Sequence, residues 1–292
     1  MPPRVVLGVV AVGKAQCPPE AVLPAMPTLD TVALECLSVR QPDDKLASTV
    51  RALAAWRDGK VEPLHSSAPV LPAEEVAGRP QRPRLVPPRE LPRRRLGSVE
   101  GRAALLHAVA HIEFNAINLA WDAVYRFRDM PRAYYANWIG IAADEARHFA
   151  LVRARLAELG CEYGDFDAHN GLWDMACNTA DSCLARMALV PRVLGGRGAA
   201  VTAGLHGGVR RVGDAASVQV LEVILEEEVP HVAAGSRWFE WCCVRAGVEP
   251  EATFRSLLAE RMAAPLKPPF NRPARLAAGF SNAELDRLEQ IT

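Results

Sequence analysis

The stretch ADEARHFALV, residues 143–152, sets an acid pair and a histidine directly before an apolar run. Its Glu145-x-x-His148 spacing returns in EEEVPHVAAG, residues 226–235, as Glu228-x-x-His231. Residues at i and i+3 share a helix face, so each pair can aim a carboxylate and an imidazole at one spot. Such groups are costly to bury without partners. Two pairs of this kind, both running into small and apolar residues, point to an inward-facing polar site in a helical protein.

The surrounding sequence supplies the helices. Residues 98–127, SVEGRAALLHAVAHIEFNAINLAWDAVYRF, place apolar residues at helical spacing behind Ser98, a candidate N-cap. Pro131 opens a second long helix that should stop at Gly160. A third is expected from about Leu172 to Leu194, ended by the GGRG of 195–198 and followed by a short helical or irregular piece to Val212. A fourth runs from about Asp214 to Ala246, with Gly247 as its stop. Pro250 opens another, and Ser281-x-x-Glu284 is a capping box for the last. Upstream, residues 28–58 read as two short helices, with Asp43 or Asp44 capping the second. Residues 59–97 are rich in Pro and Arg without periodicity and read as an extended arm.

Strand signals are almost absent. The expected fold is therefore all-α: a four-helix bundle over 98–247, with short helices plus the Pro/Arg-rich arm packed on it (28–97) and a C-terminal helical extension (248–292). Residues 1–27, where Pro18, Pro19, Pro24 and Pro27 discourage regular structure, are expected to be a disordered extension.

Composition narrows the function. Lys plus Arg and Asp plus Glu both number 34, so no net field favours nucleic acid. The seven cysteines are scattered, without C-x-x-C spacing, which suits a reducing compartment and a cytoplasmic location. No apolar run approaches the ~20 residues of a membrane span, and Lys14 interrupts a signal-peptide reading of the N-terminus.

Glu113, in the otherwise apolar HIEFNAINLAW, precedes Glu145 by one helix, a turn and the return to the same level. Glu113, Glu145, His148, Glu228 and His231 thus reproduce most of the layout of carboxylate-bridged di-metal bundles, in which two helices give one Glu each and two give Glu-x-x-His. Mixed carboxylate and imidazole donors suit Fe(II) or Mn(II). His107 and His111 point elsewhere on the same helix and read as packing residues. Asp144 and Glu227 face away from the ligand positions and read as supporting or solvent-facing groups. The arginines between 79 and 102 read as structural, and Cys242-Cys243 as core.

These segments also resemble a known family. HIEFNAINLAWDAVYRFRDMPRAYYANW (111–138), DEARHFALVRARLAELGCEYGDFDAHNGLWDMA (144–176), ARMALVPRVL (185–194), LEVILEEEVPHVAAGSRWF (221–239) and KPPFNRPARLAAGFSNAEL (267–285) are similar to a bacterial family of ferritin-like proteins labelled only as a domain of unknown function, and through it to the diiron tRNA hydroxylases. The resemblance implies a ferritin-like diiron bundle with Glu113, Glu145, His148, Glu228 and His231 at ligand positions. It also implies a sixth ligand where this chain departs: the family reads VPRVLEARG, this chain VPRVLGGRG (190–198), which puts Gly195 at the expected glutamate. Three arrangements are compatible with that loss. Water, hydroxide or a substrate carboxylate fills the position, His206 swings in from the following segment, or one metal position is given up. Pro230, inside the second Glu-x-x-His, should kink or bulge its helix.

The expected function is a two-iron (or manganese) oxygenase or oxidase acting on a small organic molecule with electrons from a separate donor. The competing reading is a non-catalytic metal-binding or structural protein with a degraded site.

Overall fold

In a computed structural model, residues 26–63, 65–92, 95–262 and 271–290 are described, with side chains throughout except at 197–202 and 290. The extension expected at the N-terminus lies, up to residue 25, outside them. The fold is all-α. Among the described residues there is no β-strand, and the two isolated bridges are Thr28 with Glu62 and Leu85 with Ala168.

Helices α1 (Leu29–Ser38) and α2 (Pro42–Arg57) come first. The cap of α2 is Gln41 with Pro42 at its first position, two or three residues earlier than Asp43 or Asp44 would place it. Proline pre-sets the helical φ there, and the two aspartates instead face the positive helix end from within the first turn. The arm then carries only a short helix, α3 (Ala73–Val76), and a 3₁₀ turn at Pro88–Glu90.

The long helices α4 (Val99–Arg126) and α5 (Arg132–Glu158) pack extensively on each other. Ser98 caps α4 by accepting from the Gly101 N–H, and Gly160 ends α5 in the left-handed region at φ 78°. The third segment departs from expectation. It begins as α6 (Gly171–Asn178), breaks, and resumes as α7 (Cys183–Met187). It then widens to π-helical turns over Ala188–Gly195 and continues without a stop as α8 (Gly196–Arg211). The GGRG run is not a terminus, because Gly195 and Gly196 both take right-handed φ near −60°. Glycine disfavours a helix by only about 1 kcal/mol, which packing against α9 (Ala215–Ala246) outweighs. Helix α9 is unbroken through Pro230, capped by Asp214 and closed by Gly247 at φ 67°.

Segments α4, α5, the α7–π–α8 run and α9 surround one interior. α5 packs on α9, and α9 packs on the π-helical turns. The closest approach is at Gly235, where a Cβ would come within 2.6 Å of the Pro191 ring. Helices α10 (Pro250–Arg261), α11 (Arg272–Ala277) and α12 (Asn282–Gln290) complete the chain. Ser281 and Glu284 exchange reciprocal capping bonds, and Glu284 also pairs at 3.0 Å with Arg192, which is buried on Phe239, Phe254 and Phe280. That contact ties the C-terminal helices to the π-helical turns. At the other end, Lys45 donates to the Cys36 and Leu37 carbonyls and to Asn118 at 2.6 Å, locking α1 and α2 onto α4.

The arm follows the surface as a bonded strap. Val86 N–H donates to the Ala168 carbonyl and Ala168 N–H to the Arg84 carbonyl, pinning the arm to the loop after α5, and Arg84 pairs with Asp167. Arg79 reaches Asn170, and Arg102 pairs with Asp214, so these arginines hold protein groups. His107 accepts from the Gly164 N–H, and His111 meets Tyr163 and the His169 carbonyl. Burial depresses both imidazoles to about 4, which suits neutral packing roles.

Asp122 is fully buried and holds two arginines, Arg186 at 2.6 Å and Arg126 at 2.7 Å. Asp122→Ala would strand the buried Arg186 cation. Urea unfolding should therefore register a loss of about 3–5 kcal/mol; a loss below about 1 kcal/mol would contradict this account of the α4–α7 junction.

Candidate metal centre

Helix α4 delivers Glu113, α5 delivers Glu145 and His148, and α9 delivers Glu228 and His231. Ligand atoms of Glu113, Glu145, His148 and Glu228 all lie within 4.8 Å of one another. Four of the five residues are buried, and Glu228 is largely so. His231 joins the same group through Glu145.

Glu145 stands between two Glu–His pairs. Its Oε2 faces His148 Nδ1 at 3.4 Å, and that nitrogen also lies 3.4 Å from Glu113 Oε2. Its Oε1 faces His231 Nδ1 at 3.0 Å, and His231 Nδ1 lies 3.5 Å from Glu228 Oε1. None of these approaches is aligned as a hydrogen bond. Glu113 Oε2, Glu145 Oε2, His148 Nδ1 and His231 Nδ1 are all buried without a hydrogen-bond partner. Orphaned polar atoms that converge from three helices are the donor set a cation would satisfy. The residues therefore fit a metal ion.

The other nitrogen of each imidazole is engaged across the helix pair. His148 Nε2 meets Glu227 Oε2 at 2.8 Å, and His231 Nε2 meets Asp144 Oδ2 at 3.4 Å. Each acid immediately before a Glu-x-x-His thus braces the histidine of the opposite helix. Arg147 bridges both acids, pairing with Glu227 and with Asp144. This bracing fixes which nitrogen of each ring faces the carboxylates. The sequence suggested only a supporting or solvent role for Asp144 and Glu227; an acid directly before each motif was the signal for the crossing.

Charge is tightly coupled here. Burial raises Glu113 well above the ordinary carboxylate range, and the Glu145 charge adds to it. Burial would raise Glu145 as well, but His148 and His231 hold it low. Glu228 is raised by burial and by Glu145. Burial alone would lower the imidazoles, yet Glu113 and Glu145 lift His148 to about 11, and Asp144, Glu145 and Glu228 lift His231 to about 12.

A cavity of about 90 Å³ adjoins the cluster. Glu113, Glu145, Glu228 and His231 form one end of its wall, and the remainder includes Ala116, Ala120, Trp138, Met187, Val190 and Leu194. Arg186 also touches it, but Asp122 neutralises that guanidinium. The Trp138 indole N–H is buried without a partner. Gly195 lines the same cavity, and a Cβ there would lie 3.6 Å from Val232 Cγ2, an ordinary contact. His206 is elsewhere on α8, bonded to Glu222 at 2.9 Å. It does not swing in to the cluster in this arrangement, because α8 is a regular helix that holds it against Glu222.

Because a metal must displace the protons on His148 and His231, affinity should rise with pH, and titration in weak buffer should release protons as the site fills. Glu227→Gln and Asp144→Asn should each weaken metal binding about 10–100-fold while leaving the fold intact. Unchanged affinity in both variants would refute the bracing role.

No solved structure matches this chain significantly. An uncharacterised protein of Haemophilus influenzae is 40% identical over 229 residues, covering 76% of this chain and 80% of that protein. A family model matches residues 38–286. With this helical frame and its cluster of buried acids and histidines, the chain belongs to the family described as "Protein of unknown function (DUF455)".

Proposed function

We propose that the protein is a ferritin-like, two-metal oxygenase or oxidase that uses iron, or manganese, on a small organic substrate. The observation that carries this reading is the position of Glu145, whose two oxygens face two separate Glu–His pairs beside an apolar cavity. One shared carboxylate with a carboxylate and an imidazole on each side is the donor arrangement of a dinuclear centre. A metal pair bound there would supply dioxygen activation and two-electron oxidation.

The chain's own residues do the rest. Glu113 and His148 would hold one position, and Glu228 and His231 the other. Glu227 and Asp144 keep both Nδ1 atoms turned inward. The aliphatic wall excludes water and presents a substrate to the cluster. Oxygenation would place one oxygen atom in the substrate and release the other as water, with two electrons from a separate reductant and two protons from solvent. A protein that only holds metal needs no such cavity, which favours the catalytic reading. Among the described residues no helix is long and apolar enough to cross a membrane.

Iron-loaded protein, reduced and then mixed with oxygenated buffer, should consume dioxygen in proportion to its iron. Glu145→Ala should abolish the uptake. Iron-replete wild-type protein that consumes none would overturn the oxygenase reading.

A further inference from the structure

The π-helical turns form a part of the cavity wall that carries no charge. Gly195 lines the same cavity as the three carboxylates, beside Pro191 and Leu194, and a Cβ on it would meet nothing closer than Val232 Cγ2 at 3.6 Å. In the two-metal reading, on which this inference rests, two divalent ions carry one positive charge more than Glu113, Glu145 and Glu228 together cancel. Asp144 and Glu227 do not remove that excess cheaply. They lie behind the imidazoles, are 47% and 37% exposed, and share Arg147, so water screens them. A residual positive charge at the mouth of an apolar cavity favours a monoanion.

The geometry points to a small apolar monocarboxylic acid as the substrate class, its carboxylate seated beside Gly195 at the metal pair and its hydrocarbon tail in the cavity. The tail's path follows α5 from Glu145 back towards Trp138, which lies seven residues earlier and so about 10 Å along the helix. Ala116 and Ala120 on α4 line the same cavity. Their small side chains leave the width a chain of methylenes needs, and Met187 on α7 adds an adaptable wall. No second cation is available for the head group among the described lining residues, since Arg186 is committed to Asp122. A doubly charged acid or a phosphate monoester is therefore disfavoured.

The test uses the full chain loaded with cobalt(II), whose visible spectrum responds to a new ligand, after metal content has been measured. Butanoate, hexanoate and octanoate are titrated beside the matching uncharged amides. The expected result is a spectral change with the acids, at least tenfold tighter binding than the amides, and loss of acid binding by tenfold or more in Gly195→Glu, which supplies its own carboxylate. Ala120→Leu, two turns along α4 from Glu113, narrows the tail path away from the cluster; it should shorten the longest acid that binds while leaving butanoate unaffected, and it serves if Gly195→Glu does not fold. Two metals per chain with no acid-dependent change, or equal binding of acids and amides, would overturn the substrate class alone. Fewer than two metals per chain would overturn the two-metal reading and this inference with it.

Discussion

Three carboxylates buried among apolar helices are the constraint around which the rest of the structure is arranged. Glu113, Glu145 and Glu228 cannot be withdrawn from water together as anions unless positive charge comes with them, since each ion costs several kcal/mol to desolvate. The protein brings two imidazoles and raises their proton affinity with the same carboxylates. That compensation is incomplete, because several of the facing atoms find no aligned partner. A fold that only needed stability would replace such a cluster with aliphatic side chains at little loss or some gain. The surrounding helices instead invest in keeping the cluster open on one side.

That investment is visible at three places. Gly235 lets α9 approach Pro191 closely, so that the π-helical turns form a wall of the cavity. Asp122 holds Arg186 in a fixed position and removes its charge from that wall. The C-terminal helices clamp the far side of the π-helical turns through Glu284 and Arg192, within a cluster of phenylalanines. π-Helical turns are rare and tend to appear at functional sites. Here they displace the backbone at the one segment that offers the cluster no acid. The cavity, the uncharged glycine and the irregular helix are therefore one feature seen at three levels.

Much of this was legible in the sequence where local chemistry is decisive. Ser98 and Asp214 cap helices because a short polar side chain satisfies an exposed N–H, and Gly160 and Gly247 end them because only glycine enters the left-handed region cheaply. The two Glu-x-x-His motifs and Glu113 could be placed on shared faces from spacing alone. Legibility failed where tertiary packing overrides a local preference. Gly195 and Gly196 look like a helix stop, yet both are helical because α9 packs along them. Gln41 rather than a nearby aspartate caps α2, since Pro42 sets the first turn. The crossed bracing of His148 by Glu227 and His231 by Asp144 depends on how two helices face each other, which no single-helix pattern contains.

The central claim is that Glu145 is shared between two metal positions. It is tested most directly by anomalous diffraction at the iron edge from crystals of the iron-loaded protein. The account predicts two anomalous peaks, one on each side of the Glu145 carboxylate, the first beside His148 and the second beside His231. A single peak, or none in crystals that retain this fold, would contradict it.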